Sequence, residues 1–141
     1  MAMNFETFKQ IYAETMMYYQ FVENDIKFIF AFMLKGDVDQ HLGKIEKKTL
    51  GNMIKKLEEL DNSDGNPYIS SEDYEFLTMI CENRNRWAHQ TFTNFAYITN
   101  WQYSKEYEIE CNDLRKDCER VKRASDILEK MRIEYCSNAR G

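Results

Sequence analysis

Apolar side chains recur every three or four positions along most of the chain, the spacing that places them on one face of an α-helix. The first segment with this pattern runs from Asn4 to about Lys35. It is compatible with one continuous helix or with two helices separated by a bend at 20–24. Its aromatic residues cover more than one face, which leaves open a broad bundle core or a surface for a partner subunit.

A second and a third helix are predicted in the middle of the chain. A polar connection from Gly36 through Lys48 precedes the second helix, for which Thr49 is a suitable N-cap residue. This helix stops at a loop over 61–67, where Asp, Asn, Gly and the single proline of the chain cluster. The third helix follows, capped by Ser70 or Ser71.

The last third of the chain predicts one long helix after an aromatic connection. The segment from Phe92 to Tyr103 is either a loop or a brief extended piece. From about Ser104 to Cys136, one seam holds Cys111, Leu114, Cys118, Val121 and Leu128. Only one proline and five glycines interrupt 141 residues, of which 43% are hydrophobic. We therefore expect a single all-α domain over 1–141, an antiparallel bundle of four to five helices.

Charge and cysteine usage limit the function classes. The net charge is −5, whereas proteins that coat nucleic acid non-specifically are usually basic, so any RNA contact should be local. The four cysteines form no CxxC pair and no zinc spacing, which indicates reduced thiols in a cytoplasmic protein. No metal or cofactor is predicted.

Neither a secretory signal nor a membrane span is expected. The N-terminal MAMNFETF lacks a basic segment followed by an apolar run. The most apolar run, Ile26 to Leu34, contains a lysine and is far shorter than the roughly 20 residues that cross a bilayer.

One stretch of the third helix departs from the apolar pattern: Arg84-Asn85-Arg86-Trp87-Ala88-His89. Arg84 falls on the apolar stripe, where a buried guanidinium would need partners. At about 100° per residue, Asn85 and His89 share a flank, whereas Arg84 lies about 140° from His89. One copy of the motif thus makes a loose site. Two copies across a two-fold axis would place these groups around one cleft.

These side chains suit the cleavage of RNA. Arginine binds phosphodiesters by bidentate contacts, and histidine can take a proton from a 2′-hydroxyl or give one to a leaving 5′-oxygen. Internal attack by the 2′-oxygen needs no metal. The candidate catalytic residues are Arg84, Asn85 and His89. Arg86 and Trp87 are candidate RNA-binding or interface residues, and packing or a dimer interface suits Trp87 better than base stacking.

RNRWAH resembles the R-polar-x-x-x-H signature of the HEPN superfamily (higher eukaryotes and prokaryotes nucleotide-binding domains). Its place late in an internal helix, with a long helix after it, is similar too. TLGNMIKKLEEL, residues 49–60, resembles a helix that precedes the motif in some small HEPN proteins. The resemblance covers nearly the whole chain and implies a helical bundle that dimerises around the motif.

The resemblance also implies an activity: metal-independent RNA cleavage that leaves a 2′,3′-cyclic phosphate, often in toxin–antitoxin or phage-defence settings with an antitoxin partner. By position, Arg84 is then the phosphate-binding arginine, Asn85 the polar residue and His89 the acid or base, while 86 and 87 are variable positions. The subgroup with a nucleotidyltransferase antitoxin has a tyrosine two residues after the histidine. This chain has Thr91 there.

Two functions from different classes remain open. A dimeric HEPN ribonuclease is favoured by the intact motif, and a non-catalytic HEPN-like module that binds a nucleotide or a protein is compatible with the acidic composition. A helical interaction protein with an accidental motif is a third interpretation. Lys44, Lys47 and Lys48 form either a solvated edge or a supporting RNA contact.

Overall fold

Most helices begin where a short polar side chain can accept a backbone hydrogen bond from the first turn. The Asn4 side chain accepts from the Thr7 amide at 2.8 Å, and Ser70 accepts from the Asp73 amide at 3.1 Å. Asp37, Thr49 and Ser104 act in the same way at three other helix starts.

The computed structural model describes residues 3–140, and side chains through residue 137. Within that range the chain forms five α-helices and no strand, which confirms the all-α class. The helices are α1 (Phe5–Met33), α2 (Val38–Ile45), α3 (Leu50–Asp61), α4 (Ser71–His89) and α5 (Lys105–Arg140). A 3₁₀ turn occupies Trp101–Tyr103.

The prediction of a polar connection between the first two long helices was wrong over 38–45, which form α2. Val38, Leu42 and Ile45 recur at helical spacing, and Ile45 is buried. The corner after α2 is attached to α1, because Lys27 Nζ donates to the Glu46 carbonyl at 2.8 Å. Helix α1 itself is continuous, without a bend that divides it at 20–24.

Consecutive helices alternate in direction, but the first and last helices run parallel. Glu14 pairs with Lys122 at 3.0 Å, and farther along both helices Asp25 pairs with Arg132 at 2.8 Å. An antiparallel bundle is therefore an incomplete description. With five helices that alternate in direction, the first and fifth point the same way, and here they pack together.

The aromatic connection of 92–103 consists of turns around one cluster of rings. Phe95 is fully buried, and its ring centroid lies 5.8 Å from Phe8, 5.1 Å from Trp101 and 5.2 Å from Tyr107. This cluster joins the starts of α1 and α5. The ring centroid of Phe92 also lies 6.0 Å from that of Tyr12 on α1, so the cluster holds the connection against α1.

Helix α4 is positioned at its start by a buried carboxylate. Asp61 accepts hydrogen bonds from the Tyr68 and Ile69 amides at 2.7 and 3.0 Å and from the Tyr74 hydroxyl at 2.7 Å. Burial, together with this hydrogen bond to Asp61, raises the pKa of Tyr74, which keeps its hydroxyl a donor.

The predicted seam of α5 is buried at all of its members: Cys111, Leu114, Cys118, Val121 and Leu128. None of the four cysteines forms a disulfide with another described residue. None of the helices in the described part of the chain combines the length and the hydropathy that a membrane crossing requires.

Candidate functional site

The last two turns of α4 carry RNRWAH and divide its side chains between two neighbouring helices. Arg86 and Trp87 point to α5, where they meet acidic residues. Arg84 and Asn85 lie on the side of Cys81, which contacts the start of α3. His89 ends the helix on an exposed surface.

Asp117 of α5 is the centre of the α4–α5 contact. Its carboxylate is buried, and it accepts the indole N–H of Trp87 at 2.8 Å and the Arg120 guanidinium at 3.0 Å. The Asn83 amide also reaches it, at 3.4 Å. Burial, and then the negative charge of Asp117, raise the pKa of Tyr19 on α1. With Arg86 Nη1 at 3.9 Å, four side chains from α4 and α5 surround the Asp117 carboxylate.

Arg86 is held by the same acidic face of α5. Its guanidinium donates to Glu110 and, at 3.3 Å, to Asp113, and it stacks over the Trp87 ring at 4.4 Å. Asn94 of the connection also donates to Glu110, at 3.1 Å. These contacts engage the guanidinium of Arg86 within the protomer, while its side chain stays 29% exposed.

The backbone at the end of α4 is fixed from two more sides. The carbonyl oxygen of Trp87 accepts from the Tyr12 hydroxyl at 2.9 Å and from the Thr91 hydroxyl. Thr91 is buried, so this residue, which departs from the tyrosine of one HEPN subgroup, has a structural role here. Trp87 is 1% exposed, and packing within the protomer accounts for it.

Arg84 lies on the apolar stripe because α3 starts too late to cover that part of α4. A Cβ placed on Gly51, in the first turn of α3, would lie 3.4 Å from the sulfur of Cys81. Beyond that level the stripe is open, since Ala88 is exposed and Arg84 is half-buried. Arg84, which the sequence pattern placed in the core, therefore lies on a part of α4 that α3 does not cover.

Arg84 and Asn85 contact each other and their own helix. Arg84 Nη1 donates to Asn85 Oδ1 at 3.2 Å, and Asn85 Nδ2 lies 3.9 Å from the sulfur of Cys81. Burial raises the pKa of the Cys81 thiol, and the nearby charge of Arg84 lowers it in part. The cation of Arg84 thus lies near Cys81, with no carboxylate paired to it among the described residues.

His89 is exposed, and none of the hydrogen bonds and ion pairs found among the described side chains involves it. The helix is regular through His89, so within one protomer His89 and Asn85 share a flank while Arg84 points about 140° away. Asn85 and His89 can act together on one ligand. The Arg84 guanidinium nevertheless reaches the Asn85 side chain by its hydrogen bond, so Arg84 borders the flank that Asn85 and His89 share.

Sequence reasoning missed the acidic residues of α5. Glu110 and Asp117 are seven residues apart, on the same face as Leu114, and both are buried. The spacing of these two carboxylates on the apolar face of α5 could have indicated a contact with another helix, because buried carboxylates need cationic or N–H partners. Their partners, Arg86 and Trp87, were instead candidates for RNA or interface contacts.

The described residues include no group of three or more His, Cys, Asp or Glu side chains placed to hold a metal ion. Comparison of the chain with protein-family models, with curated proteins and with solved structures gives no match. The function is therefore argued from the residues of this chain.

Asp117→Ala should lower the free energy of unfolding by about 2–4 kcal/mol, because it leaves the buried Trp87 N–H without an acceptor and removes a partner of two arginines. Asp113→Ala is the matched control on the same helix. Asp113 is 39% exposed and contacts Arg86 at 3.3 Å, so its loss should cost less than about 1 kcal/mol. Urea unfolding measures both values, and equal losses would contradict the central role of Asp117.

Glu110 should make stability fall as pH rises. Burial raises the pKa of Glu110 above its ordinary value of 4.5, although Arg86 opposes the shift, and Glu110 Oε2 has no hydrogen-bond partner among the described residues. The folded state therefore binds the Glu110 proton more tightly than the unfolded state does. Between 4.5 and the raised pKa, the wild type loses stability relative to Glu110→Gln.

Urea unfolding of the wild type and Glu110→Gln at about pH 4 and about pH 7 measures this difference. The stability of the variant relative to the wild type should be higher at about pH 7 than at about pH 4. A difference that stays constant, or that changes in the opposite direction, would show that the pKa of Glu110 is not raised.

Proposed function

We propose that this protein is a metal-independent endoribonuclease of the HEPN type, which acts as a two-fold homodimer with Arg84, Asn85 and His89 as its catalytic residues. The observation that carries the proposal is that the residues of RNRWAH differ in their hydrogen-bond partners. Arg86 and Trp87 bind acidic residues of α5, whereas the hydrogen bonds of Arg84 and Asn85 stay within α4 and His89 makes none among the described residues. The three signature residues are thus the ones whose side chains have no partner on another helix and are available to a ligand.

The chemistry follows from these groups. The neutral imidazole of His89 takes the proton of a 2′-hydroxyl, whose oxygen attacks the adjacent phosphorus. The bond to the 5′-oxygen breaks, and that oxygen receives a proton, so the products are a 2′,3′-cyclic phosphate and a 5′-hydroxyl. Arg84 neutralises the charge that builds on the non-bridging oxygens, and the Asn85 amide orients the phosphodiester.

The proposed site lies at a two-fold axis. Arg84 and His89 leave one helix end about 140° apart, and a shared cleft across the axis brings Arg84 of one protomer to His89 of its partner. Ala88 within the motif and Phe92 three residues after it are exposed, and they give that interface an apolar part.

The biological role that we propose is that of a toxin or phage-defence effector in the cytoplasm. An enzyme that cuts RNA without a metal cannot be restrained by metal supply, so restraint has to come from another molecule. We propose an antitoxin protein that covers the end of α4. A non-catalytic module that binds a nucleotide or a protein is the alternative, and the acidic net charge of −5 is compatible with it.

His89→Ala should lose cleavage of a single-stranded RNA in EDTA by about 10²- to 10⁴-fold, because it removes the proton acceptor. His41→Ala is the matched control. His41 is the only other histidine, and its Nε2 lies 2.8 Å from the Lys35 carbonyl, far from the motif in the sequence. Gel analysis with end-group mapping should show cyclic phosphate ends from the wild type and from His41→Ala.

Three results would contradict the proposal. Equal activity of the wild type and His89→Ala would remove this residue from the mechanism. Cleavage of an RNA whose 2′-hydroxyls are replaced by hydrogen would exclude internal attack. Binding of RNA by all three proteins without cleavage would favour the non-catalytic module.

Arg84→Ala and His89→Ala should complement each other when they are co-expressed. In a mixed dimer one of the two composite sites carries an intact Arg84 and an intact His89, so random pairing should restore about a quarter of wild-type activity from two inactive variants. Activity assays on the co-purified mixture and on each variant alone measure this. A dimeric mixture with no more activity than its parts would refute the shared cleft.

A further inference from the structure

We propose that Tyr97, in the aromatic connection of 92–103, stacks on an unpaired base of the single-stranded RNA that the motif cleaves. This inference rests on the proposed function, since it extends the same site. In a duplex the bases are already stacked on each other, whereas an unpaired base is free to stack on an aromatic side chain. Tyr97 therefore favours single strands over duplexes.

Tyr97 is exposed to an unusual degree for an aromatic residue. It is 90% exposed, and no hydrogen bond or ring contact found among the described residues involves its side chain. Phe92, Ile98, Tyr103 and Ile109 are exposed as well, so this one segment holds half of the exposed large apolar side chains of the described residues. A concentration of exposed apolar side chains is typical of a binding surface.

The backbone around Tyr97 is fixed although its side chain is exposed. Phe95 and Trp101, on either side of Tyr97 in the sequence, contact each other with ring centroids 5.1 Å apart, and Phe95 is buried. Between them, the Ile98 amide donates to the Phe95 carbonyl at 3.0 Å. Tyr97 thus lies at the tip of a short loop that is closed at its base. A ring on such a loop loses little conformational freedom when a base stacks on it.

The connection is attached to the motif through one oxygen atom. Glu110 Oε1 accepts from the Arg86 guanidinium and from Asn94 Nδ2, the latter at 3.1 Å. His89 follows Arg86 by three residues, which places it about 60° around the helix and about 4.5 Å farther along it. Tyr97 follows Asn94 by three residues. The connection therefore passes the end of α4 on the side that also carries His89.

The distance from His89 to Tyr97 is short on the scale of a nucleic acid. The three steps from His89 to Phe92 cover at most about 11 Å, at about 3.8 Å each. The Ala96 amide donates to the Phe92 carbonyl at 2.8 Å, so the next four residues form a helical turn of about 6 Å. With one more step, the Cα atoms of His89 and Tyr97 are at most about 21 Å apart, the length of about six stacked nucleotides.

The charges along this part of the chain suit a polyanion. No aspartate or glutamate occurs in residues 83–105, the longest stretch of the sequence without an acid, whereas two arginines and Lys105 fall within it. Glu110, which Asn94 contacts, and Asp113 both pair with Arg86. A strand that passes over the connection thus meets its amide, hydroxyl and aromatic side chains rather than carboxylates.

Tyr103 provides the matched comparison. It is 91% exposed and lies at the end of the same connection, but it lines a groove with Glu108 at the start of α5, and Glu106 follows it by three residues. Carboxylates there repel the phosphates of a strand. We therefore expect Tyr97, and not Tyr103, to contact RNA.

The test measures binding of a fluorescent single-stranded RNA by anisotropy, with all variants in the His89→Ala background so that cleavage does not interfere. Tyr97→Ala should weaken binding about fivefold or more, because one stacked base is lost. Tyr97→Phe should bind within about twofold of its parent, because stacking uses the ring and not the hydroxyl. Tyr103→Ala is the matched control and should also stay within about twofold.

Further measurements separate stacking from charge and from subunit contacts. The salt slope of Tyr97→Ala should equal that of its parent, since no phosphate contact is lost. An abasic RNA of the same length keeps the phosphates but lacks the bases, so the parent and Tyr97→Ala should bind it equally. Static light scattering should give the same mass for both proteins.

The outcomes separate this inference from the proposed function. The stacking site is overturned, while cleavage by His89 is untouched, if Tyr97→Ala weakens binding no more than Tyr103→Ala, if Tyr97→Phe weakens it as much, or if the weakening persists with abasic RNA. A change of mass in Tyr97→Ala assigns the residue to a protein interface and overturns the stacking site as well. Selective weakening in a protein that never cleaves RNA supports the stacking site and refutes the ribonuclease. A protein that binds no RNA in any form overturns both.

Discussion

One buried carboxylate, Asp117, determines how α4 is rotated against the rest of the bundle. A charge in the interior is tolerated only with partners, and the partners here are the indole of Trp87, Arg120 and the Asn83 amide. The bonds from Trp87 and Asn83 require a particular side of α4 to face α5, whereas Arg120 belongs to α5 itself. Because a helix rotates by about 100° per residue, a register shift of one position would break the bonds from Trp87 and Asn83. Asp117 therefore fixes which motif residues face inward.

The rotation of α4 also decides which of the two arginines of the motif pairs with the acids of α5. Arg84 and Arg86 are two positions apart, about 200° around the helix, so only one of them can face the acids of α5. Glu110 and Asp113 bind Arg86. Arg84 lies on the other side of α4, at a level beyond the start of α3. On the proposed function, Arg84 needs a guanidinium without a carboxylate partner, and the pairing of Arg86 with Glu110 and Asp113 leaves it so.

Periodicity and capping residues predicted the four long helices of the fold, because those signals are local. Thr49 and Ser70 cap where expected, and the seam of α5 is buried. Helix α2 was missed because its eight residues hold only three apolar positions, and its stability comes from packing on α1. The parallel contact of α1 with α5 is a property of the whole topology. The apolar stripe of α4 predicted a buried Arg84, since the sequence does not show how far α3 extends.

The candidate site was predictable as a set of residue types but not as an arrangement. Spacing on one helix identified Arg84, Asn85 and His89, whereas the roles of Arg86 and Trp87 depend on residues 110–117, more than twenty positions away. On the proposed function, an acidic chain can still bind RNA through a few local contacts. Arg86 and Arg120 pair with the acids of α5, whereas no carboxylate among the described residues pairs with Arg84, so its charge can attract a phosphate although the net charge is −5. Binding by so few contacts is weak and strongly salt-dependent. On the proposed function, this favours strands that reach the composite cleft over nucleic acid in general.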